Sequence, residues 1–393
     1  MHIKKLKILF ISDVYFPRVN GVSTSIRTFV NELQSLGHTV KLIAPDYGIV
    51  TDDEHWISRI ASRSIYFDPE DKLMRYGLGL AQLEKIKQEN YDLIHIHTPF
   101  VAHYLGLKLA KKLNIPIVET YHTFFEDYLH HYLPLIPKSM AKWLAQKISK
   151  RQCNEVNAIV APSQPMLDVL RDYGVNAEAA VIATGLNAKQ FQLADGLSFR
   201  RQHSIPENQS LALYVGRVAH EKNIPFLLNM LIELRNKKPD VLLIIAGEGP
   251  AEASLKDQAK KLKLIPNIKF IGYMDRDTML LQCYQAADVF VFASKSETQG
   301  LVLLEAMAQG TPVVAISELG TRSILVEGKG ALISAEDEVQ FAEKVAILMD
   351  NVIDRKRVGD AGREYVISQW SAGKKAQDLI SFYQKTCSKN SIL

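Results

Sequence analysis

Two glutamates, Glu297 and Glu305, bracket the stretch Thr298-Gln299-Gly300-Leu301 and the start of an apolar helix. A strand pattern, Asp288 to Phe292, precedes them, and another, Pro312 to Ile316, follows. Strand, loop, helix, strand is a βαβ unit. Its loop falls at the carboxyl end of the first strand, where open parallel sheets bind ligands. A carboxylate in that loop is a poor core element and a good acceptor for hydroxyl groups. Two carboxylates beside a helix amino end suit a polyhydroxylated, phosphorylated ligand, which is the chemistry of a sugar nucleotide.

Cations accompany them. Gly216-Arg217 and Lys222 follow the strand Leu211 to Val215. Arg217 offers a planar fork for a diphosphate and Lys222 a point charge. Two solvated surface cations are the plain alternative, but their place at a strand end, in the half that holds both glutamates, favours the site. Asn20-Gly21 follows the first strand and opens the first helix. Gly21 permits close backbone approach and the next amides point outward, although an ordinary βα turn accounts for Asn-Gly equally well. Gly247-Glu248-Gly249 and Gly272-Tyr273-Met274 end two further strands. Either could press main chain against a base, and either could be a simple turn.

Histidines and acids mark the strand ends of the first half. His122 follows the strand Ile117 to Thr120 and is a candidate for the reacting centre. Asp13, His95 and His97 stand at strand ends too. His-x-His invites a metal, but no third ligand stands at fitting spacing, so none is read. Asp275-Arg276-Asp277 imitates an Asp-x-Asp ion motif. It precedes a helical run, Thr278 to Ala286, and is better explained as a helix cap.

One stretch points elsewhere. Leu135 to Arg151 carries Lys138, Lys142, Lys147, Lys150 and Arg151 and no acid. A helical wheel puts Met140, Trp143, Leu144 and Ile148 on one side. A basic amphipathic helix with Trp reads as a membrane-surface element, against the alternative that its apolar face packs inward. The aromatic run Phe124 to Pro134 just before it could line an apolar acceptor channel.

The elements that must position these groups alternate along the whole chain. Strand patterns fall at Lys7 to Ile11, Thr39 to Ala44, Leu93 to His97, Ile117 to Thr120 and Ala158 to Ala161. A second series runs through Leu211 to Val215, Val241 to Ala246, Ile268 to Ile271, Val289 to Phe292 and Val313 to Ile316. Helical stretches such as Val22 to Leu36 and Phe226 to Asn236 separate them. That is an α/β chain with about five strands in each half, in parallel sheets covered by helices. Turn formers near Asn187 to Gly196 mark the break between halves, and Ala361 to Lys385 is helical in pattern. At 393 residues there is room for two cores. Apolar content of 47% and charged content of 23% are ordinary for a soluble globular protein. No apolar run is long enough to span a membrane, and Ile8 to Ile11 after the basic start is too short for a signal sequence. Three scattered cysteines suggest a reducing compartment without disulfides. A net charge of +4 is mild, so an anionic partner must meet a local patch, and no nucleic-acid partner is expected.

These motifs resemble the retaining glycosyltransferases of family 4, over nearly the whole chain. The resemblance rests on Gly216-Arg217 with Lys222, the Glu297 to Glu305 spacing, Gly310-Thr311-Pro312-Val313-Val314 and Asn20-Gly21-Val22. It implies a GT-B fold, two Rossmann-like doubly wound parallel-sheet domains facing across a cleft. Residues 1–190 would be the acceptor-binding domain and 191–365 the nucleotide-sugar domain, with 366–393 a helix crossing back onto the first. It implies a UDP-sugar donor, or a GDP-sugar as alternative, with no cofactor and no essential metal. Arg217 and Lys222 would hold the diphosphate. Glu297, with amides near Gly300 and Leu301, would bind the transferred sugar, and Glu305 the ribose. Gly216 and Met274 would border the nucleotide, Asn20 and Gly21 the phosphate, and His122 the sugar and acceptor. Tyr121 to His130 and Ser296 to Leu301 look like the diacylglycerol glucosyltransferases, which use UDP-glucose and dock peripherally on the cytoplasmic face of an anionic membrane. Rival readings are a polyprenyl, lipopolysaccharide or soluble sugar acceptor, a UDP-sugar epimerase, and a non-catalytic binder. With no carboxylate nucleophile clearly placed in the first half, a front-face mechanism is expected, with Asp13 and Glu126 as the acids that could contradict it.

Overall fold

The computed structural model describes residues 4–48, 55–65, 68–122, 124 and 137–390. Thr123, Glu126 and most of the aromatic run before Pro134 therefore lie outside the described residues. The chain divides into two units, Met1–Gly185 with Ala372–Leu393, and Leu186–Ser371.

The first unit is built on a seven-stranded parallel sheet in the order β3-β2-β1-β6-β7-β8-β9. In chain order its elements are β1 (Lys7–Ile11), α1 (Gly21–Ser35), β2 (Thr39–Pro45), β3 (Ile57–Ile60), the hairpin β4 (Ser62–Ile65) and β5 (Asp68–Met74), α2 (Tyr76–Leu80) and α3 (Leu83–Glu89). Then come β6 (Leu93–Ile96), α4 (Val101–Leu113), β7 (Ile117–Thr120), α5 (Lys138–Glu155), β8 (Ala158–Ala161), α6 (Gln164–Asp172) and β9 (Glu178–Val181). Helices cover both faces, so the central strands β1, β6, β7 and β8 are buried almost end to end rather than alternately, His95 and Glu119 included. Leu9 and Ile11 enter one core cluster; Ile8 and Phe10 enter the other.

The second unit carries a six-stranded parallel sheet in the order β12-β11-β10-β13-β14-β15. Its elements are α7 (Gly196–Gln202), β10 (Leu211–Val215), α8 (Ile224–Lys237), β11 (Leu242–Ala246), α9 (Glu252–Lys261), β12 (Ile268–Gly272) and α10 (Met279–Ala286). They continue with β13 (Val289–Phe292), α11 (Leu301–Ala308), β14 (Val313–Ile316), β15 (Ala331–Ser334), α12 (Glu338–Asp350) and α13 (Val352–Gln369). The last helix, α14 (Ala372–Asn390), belongs to the first unit. It buries Ala376, Leu379 and Tyr383 in the cluster that holds Phe29 and Leu33 of α1. Lys385 and Lys389 both reach Glu178 at 2.7 Å.

The structure corrects two expectations. The sheets hold seven and six strands rather than about five each. The strands missed, β3, β9 and β15, are edge strands, and β9 (Glu-Ala-Ala-Val) has no apolar run to announce it. The terminal helix expected over 366–393 starts at Ala372 instead, and 366–369 end the helix before it, α13. The backbone opens at Trp370-Ser371, where Leu186 N–H donates to the Trp370 carbonyl at 2.7 Å and Ser371 bridges to Leu186.

Candidate active site

In the second unit β10 lies between β11 and β13, so the order of the sheet reverses beside it. Loops leaving such a reversal diverge and open a ligand crevice at the carboxyl edge. The loop after β10 carries Gly216, Arg217 and Lys222; the loop after β13 carries Glu297 and Gly300. Lys222 ends a short 3-10 turn, His220–Lys222, and its Nζ lies 2.6 Å from Glu297 Oε1. Both side chains are mostly buried, at 18% and 19% exposure. Burial works against the ammonium, but the Glu297 carboxylate outweighs it and holds Lys222 above the usual lysine range. Asn223 and Ser296 tie the two loops together, Asn223 Nδ2 donating to the Ala293 carbonyl at 3.3 Å and Ser296 Oγ to the Glu221 carbonyl at 3.4 Å.

Glycines let these loops approach. A Cβ on Gly247 would sit 2.0 Å from the Gly216 carbonyl oxygen, and one on Gly249 would sit 2.4 Å from that of Val218. The Gly-x-Gly after β11 thus serves main chain packed against main chain. Gly300, at φ 98°, starts α11 without a side-chain cap; its carbonyl accepts the Leu303 N–H at 3.1 Å, and no side-chain oxygen of its own meets the first two amides, of Leu301 and Val302. Gly320 N–H donates to the Glu297 carbonyl at 2.9 Å, which fixes the glutamate's backbone.

Glu305 is 1% exposed within α11. Tyr284 donates to its Oε2 at 2.8 Å and Gln190 to its Oε1 at 3.1 Å, and the Arg276 guanidinium pairs with Oε1 as well. A carboxylate this deep needs such partners. Arg276 escaped the sequence reading, which saw only a cap. Asp275 is that cap, its Oδ2 accepting the Thr278 N–H at 2.8 Å. The rule that picked out Arg217, a cation just past a strand end in the acid-bearing half, would have found Arg276. Met274 is buried, and the neighbouring Tyr273 N–H already donates to Glu248 Oε1 at 3.3 Å.

The remaining residues lie in the first unit. Asn20 caps α1, its Oδ1 accepting from Ser23 N–H at 2.9 Å, and nothing lies within 4 Å of a Cβ placed on Gly21. Asp13 follows β1. Its Oδ2 accepts from Thr98 Oγ1 and from Ala102 N–H, each at 2.9 Å, so it anchors the start of α4. Burial raises its pKa to about 7. His95 is held at both nitrogens, by the Tyr383 hydroxyl at 2.5 Å and the Thr120 hydroxyl at 2.7 Å. Among the described residues no cluster of three or more His, Cys, Asp or Glu could hold a metal ion. Burial lowers the His122 pKa to about 4, and its Nε2 lies 3.2 Å from His97 Nδ1.

Helix α5 packs through its small residues and turns the apolar side of the wheel outward. Its packed face is Ala141, Ala145, Ser149, Gln152 and Cys153, with Ser149 Oγ 2.8 Å from the Tyr121 hydroxyl. Met140 and Trp143 are exposed, at 50% and 58%. Lys142, Lys147, Lys150 and Arg151 share the exposed side, and Lys147 Nζ stands 4.9 Å from the Trp143 ring centroid. Of the positions read as membrane-facing, Lys138 opens the helix.

Residues 19–190 match the model for Glycosyltransferase Family 4, and residues 197–365 that for Glycosyl transferases group 1. Alpha-monoglucosyldiacylglycerol synthase of Streptococcus pneumoniae is 33% identical over 95% of this chain and 85% of its own length. This chain is a family 4 glycosyltransferase. The Acholeplasma laidlawii enzyme of the same name is 30% identical over 85% of the chain and 86% of its own length. A GDP-mannose-dependent alpha-mannosyltransferase of Corynebacterium glutamicum is 26% identical over 90% and 82%. Among solved structures, sucrose-phosphate synthase from Thermosynechococcus elongatus superposes with a TM-score of 0.79 at 21% identity, covering 98% of this chain and all of that one. Anabaena HepE in complex with UDP gives 0.75 at 16% identity, covering 97% and 100%. The glycosyltransferase is thus a hexosyltransferase of GT-B fold.

Proposed function

We propose that this glycosyltransferase moves glucose from UDP-glucose to diacylglycerol, or a closely related glycerolipid, with retention at the anomeric carbon. The match to alpha-monoglucosyldiacylglycerol synthase through 95% of the chain carries the reading. The second unit supplies the donor groups. As the bond to the anomeric carbon breaks, negative charge grows on the diphosphate. Arg217, Lys222 and the leading amides of α11 would stabilise that charge without a metal. Lys222 has three N–H donors and gives one to Glu297 at 2.6 Å, which leaves two for phosphate oxygens. Glu297 accepts sugar hydroxyls through its remaining lone pairs.

Glu305 takes the ribose. Its two oxygens offer about four lone-pair sites, of which Arg276, Gln190 and Tyr284 use three. Accepting two ribose hydroxyls therefore requires one donor to let go, and Arg276, at 25% side-chain exposure, is better placed to do so than buried Tyr284. In the first unit, Asp13 Oδ2 is held at the start of α4 by Thr98 and Ala102, while its buried Oδ1 has no hydrogen-bond partner among the described residues. With Asp13 in that anchoring role, the course is front-face, and a phosphate oxygen of the donor takes the acceptor's proton.

The exposed side of α5 supports a lipid acceptor. Trp143, Met140 and the lysines around them suit the headgroup layer of an anionic membrane, on the cytoplasmic face. No helix among the described residues is long and apolar enough to cross a membrane, so contact would be peripheral. A panel of UDP- and GDP-sugars against diacylglycerol, polyprenyl lipids and soluble sugars, read by mass spectrometry, tests the assignment. An α-glucosyl diacylglycerol by NMR is the expected product. An inverted linkage, or transfer to soluble sugars alone, overturns it.

A further inference from the structure

β6 and β7 are hydrogen-bonded neighbours, with Ile96 opposite Glu119, so His97 and His122 leave the same sheet edge side by side. His97 Nδ1 lies 3.2 Å from His122 Nε2, and the rings are 23° from parallel. The His97 ring is 1% exposed and wedged against Phe10 and His95, with centroids at 4.5 and 4.1 Å. His95 is itself pinned by the Tyr383 and Thr120 hydroxyls. His97 cannot turn without moving this stack.

Burial holds both rings below the usual imidazole range, so at neutral pH each is uncharged and carries one proton. Of the two facing nitrogens, one must donate and the other accept. His97 Nε2 is buried and has no hydrogen-bond partner among the described residues. A buried N–H without a partner is rarer and costlier than a bare lone pair. The His97 proton therefore belongs on Nδ1, where it is donated to His122 Nε2. The ring of His122 is left with its proton on Nδ1.

We propose that His97 is a positioning residue that fixes His122 as the Nδ1–H tautomer, so that His122 offers substrate a hydrogen-bond donor and not a base. What His122 meets rests on the function proposed above; the tautomer is a property of the unliganded protein. A donating ring steadies a substrate oxygen as charge develops, and the acceptor's proton still goes to the donor phosphate.

The test joins nitrogen-15 NMR of histidine-labelled protein to steady-state kinetics with UDP-glucose and diacylglycerol in mixed micelles. The carboxamide N–H in His97→Asn can stand near the position of Nδ1; His97→Leu fills space without a donor. Wild type and H97N should show the His122 proton on Nδ1, and H97L should lose that preference. H97L should lower kcat about 10- to 100-fold with the donor KM within about twofold, and H97N should recover most of the loss. A wild-type spectrum with the proton on His122 Nε2 overturns the proposal. So does an H97L enzyme with unchanged kcat, or a folded H97N enzyme no better than H97L. Failure of the wild type to use UDP-glucose would count against the assigned reaction, while the spectrum would still decide the tautomer.

Discussion

Glu297→Gln removes one charge from a pair whose atoms stand 2.6 Å apart and whose side chains are 18% and 19% exposed. Such a pair lies between the exposed and the buried extremes, so its loss should cost about 1–3 kcal/mol. For a unit the size of Leu186–Ser371, that is a fall in Tm of roughly 2–10 °C. Glucose transfer should fall about 100-fold or more, because a group placed for the reacting sugar is lost. The single variant does not separate a binding role from a structural clip. Adding Lys222→Met does. With both charges gone, neither ion of the pair is left without its partner, and most of the lost stability should return. Transfer should stay lost, because the diphosphate has also lost its cation. Melting is followed by scanning calorimetry, and transfer by thin-layer chromatography of labelled glycolipid. A double variant that regains transfer together with its Tm would refute the site assignment and leave the pair a structural tie.

Other consequences are equally open to measurement. His103 is buried between Glu119 at 2.9 Å and Glu155 at 3.3 Å; burial opposes its charge, but the two carboxylates outweigh that and raise its pKa. Its contribution to stability is then complete below the unfolded value, about 6.5, and fades as pH rises through the higher folded value. The urea midpoint should therefore fall from about pH 6 to about pH 8, and His103→Gln should flatten that slope; an unchanged slope would contradict the linkage. Gly247→Ala forces a Cβ to 2.0 Å from the Gly216 carbonyl oxygen at φ 130° and should cost about 2 kcal/mol or more, seen as a lowered Tm. Removing Lys147 and Lys150 together by alanine substitution should weaken binding to anionic vesicles by about 2 kcal/mol, roughly 30-fold, and leave binding to neutral vesicles nearly unchanged. Equal losses on both vesicle types would argue against an electrostatic docking face.

Much of the frame could be read from residue order. Leu211–Val215 and Val289–Phe292 are strands as read, because a strand covered on both faces favours a continuous apolar run, and Lys7–Ile11 and Ile117–Thr120 hold although they carry Lys7, Glu119 and Thr120. Edge strands carry no such demand, and β3, β9 and β15 went unseen. The helix α5 shows what a wheel leaves open, namely which side packs. A wheel groups Met140 and Trp143 with Leu144 and Ile148 as one apolar side. Close packing instead selects the small residues Ala141, Ala145 and Ser149, and leaves the two large ones outside.

Residue order by itself determined which groups could do chemistry: the spacing of Glu297 and Glu305, the cations after β10, and a histidine after β7. These are local facts, since a strand that ends in a glycine turn presents whatever follows it at the sheet edge. Only the tertiary structure decided which of them meet. Lys222 and Glu297 are far apart in the chain and touch because β10 and β13 pair across the reversal of the sheet. His97 reaches His122 in the same way, because β6 and β7 pair, and Arg276, past the edge strand β12, reaches Glu305 inside α11. Hydrogen bonding between strands sets that order, and no periodicity along the chain encodes it.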